Sequence, residues 1–372
     1  MKKILFCVEF YSPNIGGAEK HVQLLAEYFN KNNCKAEIAT TYTQKRKSKI
    51  NGIQINQFKI QGNSVRGYAG DTIKYQDFLI NSNYDVIVFY AAQQWSFDLS
   101  LEVIEKIKAK TILIPCGFSK LSNLFYKPYF AILKKKINNF DKIICLSFTY
   151  QDYLFSKKYF KKKVSVIYNG ADDQFYRKVG FRKKYEIKQD EIFILYLSNI
   201  KFMKGQDRFI KIISSIKNIK INAFIIYANN PNKFYLNYLK HKIKKINMFN
   251  KNIKINILKN VSNNFKYSAF SECDYFINTS RIECSPLVMF EAMAAGKLYL
   301  GSNVGNCKEI QTKLKYGFIS NDDNQISDKL EKFIISKQHK KKMIQKKIYN
   351  YFKKNHDWEI LLKKYKKLIT TS

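Results

Sequence analysis

Short β-branched apolar runs alternate with helix-period segments along almost the whole chain, and that alternation leaves few folds open. Runs of four to six residues fall at 4–8, 37–41, 53–58, 86–90, 111–115, 142–146 and 164–167. The segments between them, such as 18–30 and 97–108, carry apolar residues at three- and four-residue spacing. Apolar strands separated by amphipathic helices imply a parallel sheet covered on both faces. The pattern breaks at Tyr168-Asn169-Gly170-Ala171-Asp172-Asp173, a turn-prone stretch followed by a charged one through Lys188. It restarts at 192–197 and continues with runs at 223–227, 253–257, 274–278, 298–301 and 316–319. Helices are expected at 206–215, 234–246 and 286–295, with a lysine-rich helical tail from about 327. The 372 residues thus divide into two α/β halves joined by a linker near 170–190. The first half spans 1–170, with a helix of about 356–372 expected to pack back on it, and the second spans 171–355. Ligands of such sheets bind beyond the carboxyl ends of the strands, and two facing halves would form a cleft.

Composition excludes several classes. At 46% hydrophobic residues the chain has material for real cores. No run of ~18 apolar residues is present, so no spanning helix is expected. The opening Met1–Glu9 carries an apolar stretch of five residues, shorter than the ~7 of a secretory signal, and reads as a first strand. Seven cysteines (Cys7, Cys34, Cys116, Cys145, Cys273, Cys284, Cys307) are scattered without a C-x-x-C pair, and the four histidines are dispersed. That argues against a disulfide scaffold or a zinc site and fits a reducing cytoplasm. The net charge of +37 invites a nucleic-acid reading. Yet only six of the 66 basic residues are arginine, the side chain that reads bases and clamps phosphates. Abundant lysine, isoleucine and asparagine point instead to an A/T-rich coding sequence. Nucleic-acid binding is kept as the competing reading, but no nucleic-acid partner is expected. The field still attracts anions, including membrane surfaces and nucleotide sugars.

Three stretches carry chemistry. Pro13-Asn14-Ile15-Gly16-Gly17-Ala18-Glu19 follows the first strand and opens a helix. Paired glycines let backbone approach a phosphate or sugar beside a helix N-terminus. Read alone, the same residues make an ordinary strand–helix turn. Leu197-Ser198-Asn199-Ile200-Lys201-Phe202-Met203-Lys204-Gly205 places Lys204 just before a helix, where it suits a diphosphate or a solvated loop. The most informative stretch runs from Thr279 to Gly296. Pro286 is a good first helical residue and Gly296 a good stop. Glu283 then lies in the loop at a strand's carboxyl end, and Glu291 lies within the helix among Met289, Phe290, Ala292 and Met293. A carboxylate in that apolar surround needs partners. Sugar hydroxyls would serve, as would a structural lysine.

Together these residues resemble the retaining glycosyltransferases of the large family-four group, also called glycosyl transferases group 1. The signature is Glu283 and Glu291 with seven residues between them, continued by Ala292-Met293-Ala294-Ala295-Gly296. The glycine pair, Asn169-Gly170 and Lys204-Gly205 add to it. The resemblance implies the GT-B fold, with two Rossmann-like domains facing across a cleft. It implies transfer of a sugar from a nucleotide diphosphate donor to an acceptor hydroxyl, with retained configuration. Glu291 would bind the donor ribose and Glu283 the transferred sugar, with the Ser285, Pro286, Leu287 and Val288 backbone near sugar and phosphate. Lys204 would neutralise the diphosphate, and Gly16 and Gly17 would line the phosphate and acceptor side. No metal or other cofactor is expected; the nucleotide sugar is a co-substrate. Three places depart from the family pattern. Asn199 stands for an arginine, Cys116 for a histidine, and Gly305-Asn306 for a glycine pair. They motivate a further reading, a weakened sugar-nucleotide-binding module.

Residues 121–136 and 153–163 interleave aromatics with Lys134–Lys136, Lys157, Lys158 and Lys161–Lys163. They read either as an interfacial patch or as core-facing helices with solvated lysines. The first reading, with the resemblance, implies a glycan or lipid-linked acceptor of the cell envelope and peripheral attachment to an anionic membrane from the cytoplasmic side.

Overall fold

A computed structural model describes residues 1–14, 16–174, 180–336 and 338–371. The chain forms two compact units, Met1–Tyr168 with Leu362–Ser372, and Asn169–Leu361.

The N-terminal unit is built on ten strands: β1 Lys2–Cys7, β2 Cys34–Thr41, β3 Lys49–Ile50, β4 Ile53–Phe58, β5 Ile60–Asn63, β6 Gly67–Gly70, β7 Val86–Tyr90, β8 Lys110–Ile114, β9 Lys142–Cys145 and β10 Ser165–Val166. Eight of them form one sheet in the order β10-β9-β8-β7-β1-β2-β4-β3. Its pairs are parallel except β3 with β4. β1 shows why the strands read as unbroken apolar runs: Ile4, Leu5, Phe6 and Cys7 are all fully buried, because both faces are covered. The helix Gly17–Lys31 covers it with His21, Val22, Leu25, Ala26 and Phe29, one stripe at helical spacing. Tyr75 packs edge-on against Trp95 at 4.9 Å in the adjoining core. The last helix, Trp358–Thr370, buries Tyr365 and Ile369 in this unit, with the Tyr365 ring 5.3 Å from that of His21. Lys142 Nζ donates to the Leu368 carbonyl at 2.9 Å and Lys110 Nζ to that of Thr371 at 2.6 Å.

The C-terminal unit holds a second, wholly parallel sheet: β11 Ile192–Leu197, β12 Ile221–Tyr227, β13 Ile253–Lys259, β14 Tyr275–Asn278, β15 Tyr299–Gly301 and β16 Phe318–Ile319. Its order is β13-β12-β11-β14-β15-β16. The direction of strand addition reverses between β11 and β14, the place where ligands of open α/β sheets bind. In the first sheet the corresponding reversal lies between β1 and β7.

Several expectations are corrected. The helix expected at 97–108 is three short pieces, Trp95–Asp98, Ser100–Val103 and a 3-10 turn at Ile104–Lys106. Burial of every residue from Trp95 to Leu101 and a Ser100 hydroxyl bonded to the Phe97 carbonyl (2.6 Å) favour separate turns over one amphipathic rod. The β5–β6 hairpin was not foreseen. The lysine-rich tail is three helices, Asp323–Ile335, Gln338–Asn355 and Trp358–Thr370. Pro286 is extended and precedes the helix Leu287–Ala294 rather than opening it. Of the expected linker, 175–179 lie outside the described residues. The stretch from Gly180 onward is part of the C-terminal core: Phe181 is fully buried and stacks on Phe193 at 5.2 Å. Glu272 accepts the backbone N–H groups of Gly180, Phe181 and Arg182 at 3.0, 3.1 and 2.8 Å. The aromatic-and-lysine stretches divide in two. Tyr126, Tyr129, Phe130, Leu133, Phe155 and Phe160 are core, whereas Leu124, Phe125, Ile132 and Leu154 are exposed.

Candidate active site

The informative loops leave β11 and β14 side by side. After β11 a 3-10 turn, Phe202–Lys204, ends at Gly205, whose φ is +74°. A Cβ there would stand 2.1 Å from the Thr279 carbonyl oxygen, so only glycine lets the two loops touch. Thr279 donates its hydroxyl to the Gly205 carbonyl (2.7 Å), and the Arg281 N–H reaches the Met203 carbonyl (2.8 Å). The Arg281 guanidinium forks onto both oxygens of Asp207 at 2.8 and 2.7 Å and lies 4.0 Å from the Phe202 ring centre. Across this junction Lys204 Nζ is ion-paired with Glu283 Oε1, which also accepts the Ser280 hydroxyl at 3.1 Å. The pair is partly buried, a setting in which losing one partner costs much more than a surface pair is worth. Asn199 belongs to the same loop; its carbonyl accepts Gln206 Nε2 at 2.9 Å.

Beyond Glu283 the chain is held by buried asparagines. Asn169 Nδ2 donates to the Ser285 carbonyl and Asn306 Nδ2 to the Ser285 hydroxyl, both at 2.9 Å. Asn306 N–H bonds the Cys284 carbonyl at 3.0 Å. At Gly305, φ +54°, a Cβ would meet that same carbonyl oxygen at 2.0 Å. The second place of the family's glycine pair is therefore filled here by a side chain that props Ser285. Leu287 and Val288 head the helix, whose first amides have no intrahelical partners. One turn on, Glu291 is 4% exposed. Its Oε1 accepts Lys266 Nζ at 2.7 Å, while its buried Oε2 has no hydrogen-bond partner. A buried acceptor is costly to leave unmatched. Lys266, on the helix Asn263–Glu272, escaped sequence reasoning, whereas Asn169 and Asn306 are named there without their role as clamps on Ser285. Nothing in local spacing marks contacts between residues 25, 116 and 21 positions apart.

Gly16, Gly17 and Cys116 lie in the N-terminal unit, and the remaining expected site residues in the C-terminal one. Gly16 caps the helix Gly17–Lys31 with extended backbone. A Cβ on it would strike the Glu19 carboxylate, which lies against this helix start as an internal anion. Ile15 lies outside the described residues. Cys116 follows β8 in left-handed backbone, φ +57°. Burial pushes its thiol up to about 12, with Tyr90 hydrogen-bonded to it. The Tyr90 hydroxyl is 2.6 Å from His21 Nδ1, and burial holds that imidazole down at about 3. Near the end of β7, Gln93 brackets Ser119, donating to its carbonyl at 2.9 Å and accepting its N–H at 2.7 Å. Burial, helped at Glu9 by the nearby Asp98 charge, raises Glu9 and Asp98 to about 7. Among the described residues no group of three or more His, Cys, Asp or Glu is placed to hold a metal ion.

No curated protein matches the sequence. Solved structures resemble it over their full length. Sucrose-phosphate synthase from Thermosynechococcus elongatus superposes with a TM-score of 0.82 at 13% identity, covering 99% of this chain and 98% of that one. HepE from Anabaena, in complex with UDP-glucose, gives 0.80 at 17%, covering 100% of both. WaaG, a glycosyltransferase involved in lipopolysaccharide biosynthesis, gives 0.75 at 15%, covering 99% and 100%. At these identities the likeness speaks for the fold. Sequence models of families add what the fold leaves open: residues 15–175 match Glycosyltransferase Family 4, and residues 179–349 match Glycosyl transferases group 1. Both glutamates, Lys204, Ser285 and Asn306 fall inside the second match, and the chain belongs to the group 1 glycosyltransferases of GT-B fold.

Proposed function

We propose that this glycosyltransferase moves a hexosyl-type sugar from a nucleotide diphosphate donor, a UDP-sugar in the first instance, to a hydroxyl of a glycan or lipid-linked acceptor, with retention and without a metal. The observation that carries this reading is Glu291. Its buried carboxylate has one oxygen on Lys266 and the other unmatched, as a site for a ribose hydroxyl requires. In the same unit, Lys204 and Glu283 form a pair that a donor can enter: the ammonium turns to the diphosphate and the carboxylate to the sugar hydroxyls. In the transfer step the acceptor oxygen bonds the sugar's anomeric carbon as the bond to the β-phosphate oxygen breaks. The acceptor's proton passes to that departing oxygen on the same face, and the nucleoside diphosphate leaves. Stabilising the leaving diphosphate by Lys204 and the amides heading the helix Leu287–Ala294 is then the main contribution to rate.

The complex of HepE with UDP-glucose supports a uridine donor. The role of WaaG in lipopolysaccharide synthesis, and the exposed apolar-and-lysine surface of the N-terminal unit, support work on a cell-envelope polysaccharide or glycoconjugate at the inner face of a membrane. No helix is long and apolar enough to cross that membrane among the described residues, so attachment would be peripheral. A screen of UDP-, GDP- and ADP-sugars for stabilisation and hydrolysis tests the donor. Product anomeric configuration tests retention, and transfer in chelator tests metal independence. A product of inverted configuration, or transfer lost in chelator and restored by manganese, overturns the corresponding part. Replacing Asn199 by Arg should tighten donor binding, because a charge-assisted phosphate contact is stronger than a neutral one; unchanged affinity would mean Asn199 does not face the phosphates.

A further inference from the structure

Between the helices Lys127–Lys136 and Gln151–Tyr159 of the N-terminal unit lies a cavity of about 600 Å³, lined by none of the candidate donor-site residues described above. Its size falls in the range of small-molecule sites. Buried Phe130 and Phe155 form part of its wall and exposed Leu154 another part, while Lys127, Lys134 and Lys158 stand around it with exposed heads. No carboxylate lines it. The surrounding segment 117–163 carries eleven lysines, no arginine and two acids, Asp141 and Asp152. Asp152 is buried and accepts the backbone N–H of Gly117 at 2.9 Å, so it does not offset the lysines. Lys134 Nζ rests 4.7 Å from the centre of the Tyr159 ring, which keeps the ammonium beside the cavity. Leu124 and Phe125, 70% and 82% exposed, project from the turn that leads into the first helix.

We propose that this cavity holds an acyl chain of an anionic membrane lipid, with its phosphate on Lys134, Lys158 and Lys127. An apolar interior beneath cationic heads is complementary to an amphiphile with one negative charge. Leu124 and Phe125 then enter the interfacial layer next to it. A nucleic acid would leave the apolar interior unused, and an arginine-free rim lacks the forks that grip its phosphates. The inference deepens the membrane-facing part of the proposed function but is independent of the transfer chemistry.

The test uses the full chain and short-chain phosphatidylglycerol below its micelle concentration, with short-chain phosphatidylcholine and glycerol phosphate as controls. Flotation on vesicles of phosphatidylglycerol and phosphatidylcholine accompanies it. One phosphatidylglycerol should bind per chain, about tenfold tighter than glycerol phosphate, since even roughly two buried methylenes are worth that factor, and more tightly than phosphatidylcholine, whose headgroup carries no net charge for the lysines to meet. Ala131→Trp fills the cavity without changing charge and should cut that affinity by about the same factor and weaken flotation. Stabilisation by UDP should be unchanged in this variant, which separates failure of the lipid site from failure of the donor reading. Leu154→Trp fills the space from the other helix, should Ala131→Trp not fold. Lys134→Glu with Lys158→Glu should abolish the preference for the anionic lipid. Affinity unchanged in both tryptophan variants, equal binding of the two lipids, or glycerol phosphate binding as tightly as phosphatidylglycerol overturns the proposal.

Discussion

Beyond β11 and β14 the loops of the C-terminal unit are tied by charge: Lys204 to Glu283, Arg281 to Asp207, Arg208 to Asp323, and Lys266 to Glu291. Beyond β7 and β8 the loops of the N-terminal unit carry no such ion pair among the contacts described above: Gln93 brackets Ser119, the buried Asp152 accepts the Gly117 N–H, and backbone is held in the left-handed region at Ala91, Gln93, Cys116 and Lys120. There His21 and Cys116 are kept uncharged by burial, and Glu9 and Asp98 titrate near neutrality. The contrast teaches that one architecture supports two kinds of site. Ion pairs can trade an internal partner for a charged ligand at little net loss. Neutral hydrogen-bonding loops suit a ligand that brings hydroxyls and no charge. Under the proposed function, the charged loops meet the nucleotide diphosphate and the neutral ones the acceptor.

The comparison breaks most visibly if the charged loops prove dispensable. Glu283→Ala should lower kcat/KM by about 10²–10³-fold, the scale of losing one preorganised electrostatic contact. Adding Lys204→Ala should cost far less than its single effect, because the two side chains act as a unit. Additive losses would separate them. Next in size, Lys266→Ala leaves the Glu291 carboxylate buried without a partner and should cost about 3 kcal/mol in urea unfolding, while also weakening nucleotide binding. A stability loss without an affinity loss would confine Lys266 to the scaffold.

Backbone strain sharpens the contrast further. Gly205→Ala puts a Cβ against Thr279 and should cost about 2 kcal/mol or more. Lys120→Gly, at φ +57° on an exposed loop, should change stability by no more than about 0.5 kcal/mol, since relief of strain offsets added freedom in the unfolded chain. Equal penalties would mean that strain is not what sets the N-terminal loops apart. The smallest effect is on pH. Asp98 sits at about 7 when folded and in the ordinary carboxylate range when unfolded. The folded state therefore binds the extra proton, and stability from this group is lost as pH rises towards 7. His21, lowered to about 3, works in the opposite direction, losing stability as pH falls below its ordinary value. Asp98→Asn should thus gain on the parent protein by about 1 kcal/mol between about pH 6 and about pH 7. A constant difference between the two urea midpoints would show Asp98 to be ionised throughout.

Glu283 and Glu291 are legible in the sequence because a strand, a loop and a helix follow one another without interruption, so spacing alone fixes where each carboxylate stands. The sheets are legible for a similar reason: buried parallel strands such as β1 and β7 are apolar on both faces. The β5–β6 hairpin is not, because Gln61-Gly62-Asn63 and Tyr68-Ala69-Gly70 show neither alternation nor apolar runs. Lys266 is hidden among 60 lysines of similar local setting, and only the packing of two helices singles it out. Asn169 read as a turn former; its side chain is in fact spent on the Ser285 carbonyl, a contact that no local rule encodes. The aromatic-and-lysine stretches hid their division into core and surface, since periodicity shows that a helix has two faces but not how far burial extends round it.

The last helix has a consequence for how the protein is made. Tyr365 and Ile369 complete the core around His21, yet they leave the ribosome only after the whole of Asn169–Leu361 has been synthesised. At ordinary elongation speeds the first sheet waits on the order of 10–40 s for that cover. During this interval the nascent N-terminal unit presents an open apolar edge beside an unshielded imidazole, while the intervening unit is free to fold from one contiguous segment. The unit translated first is therefore the one completed last.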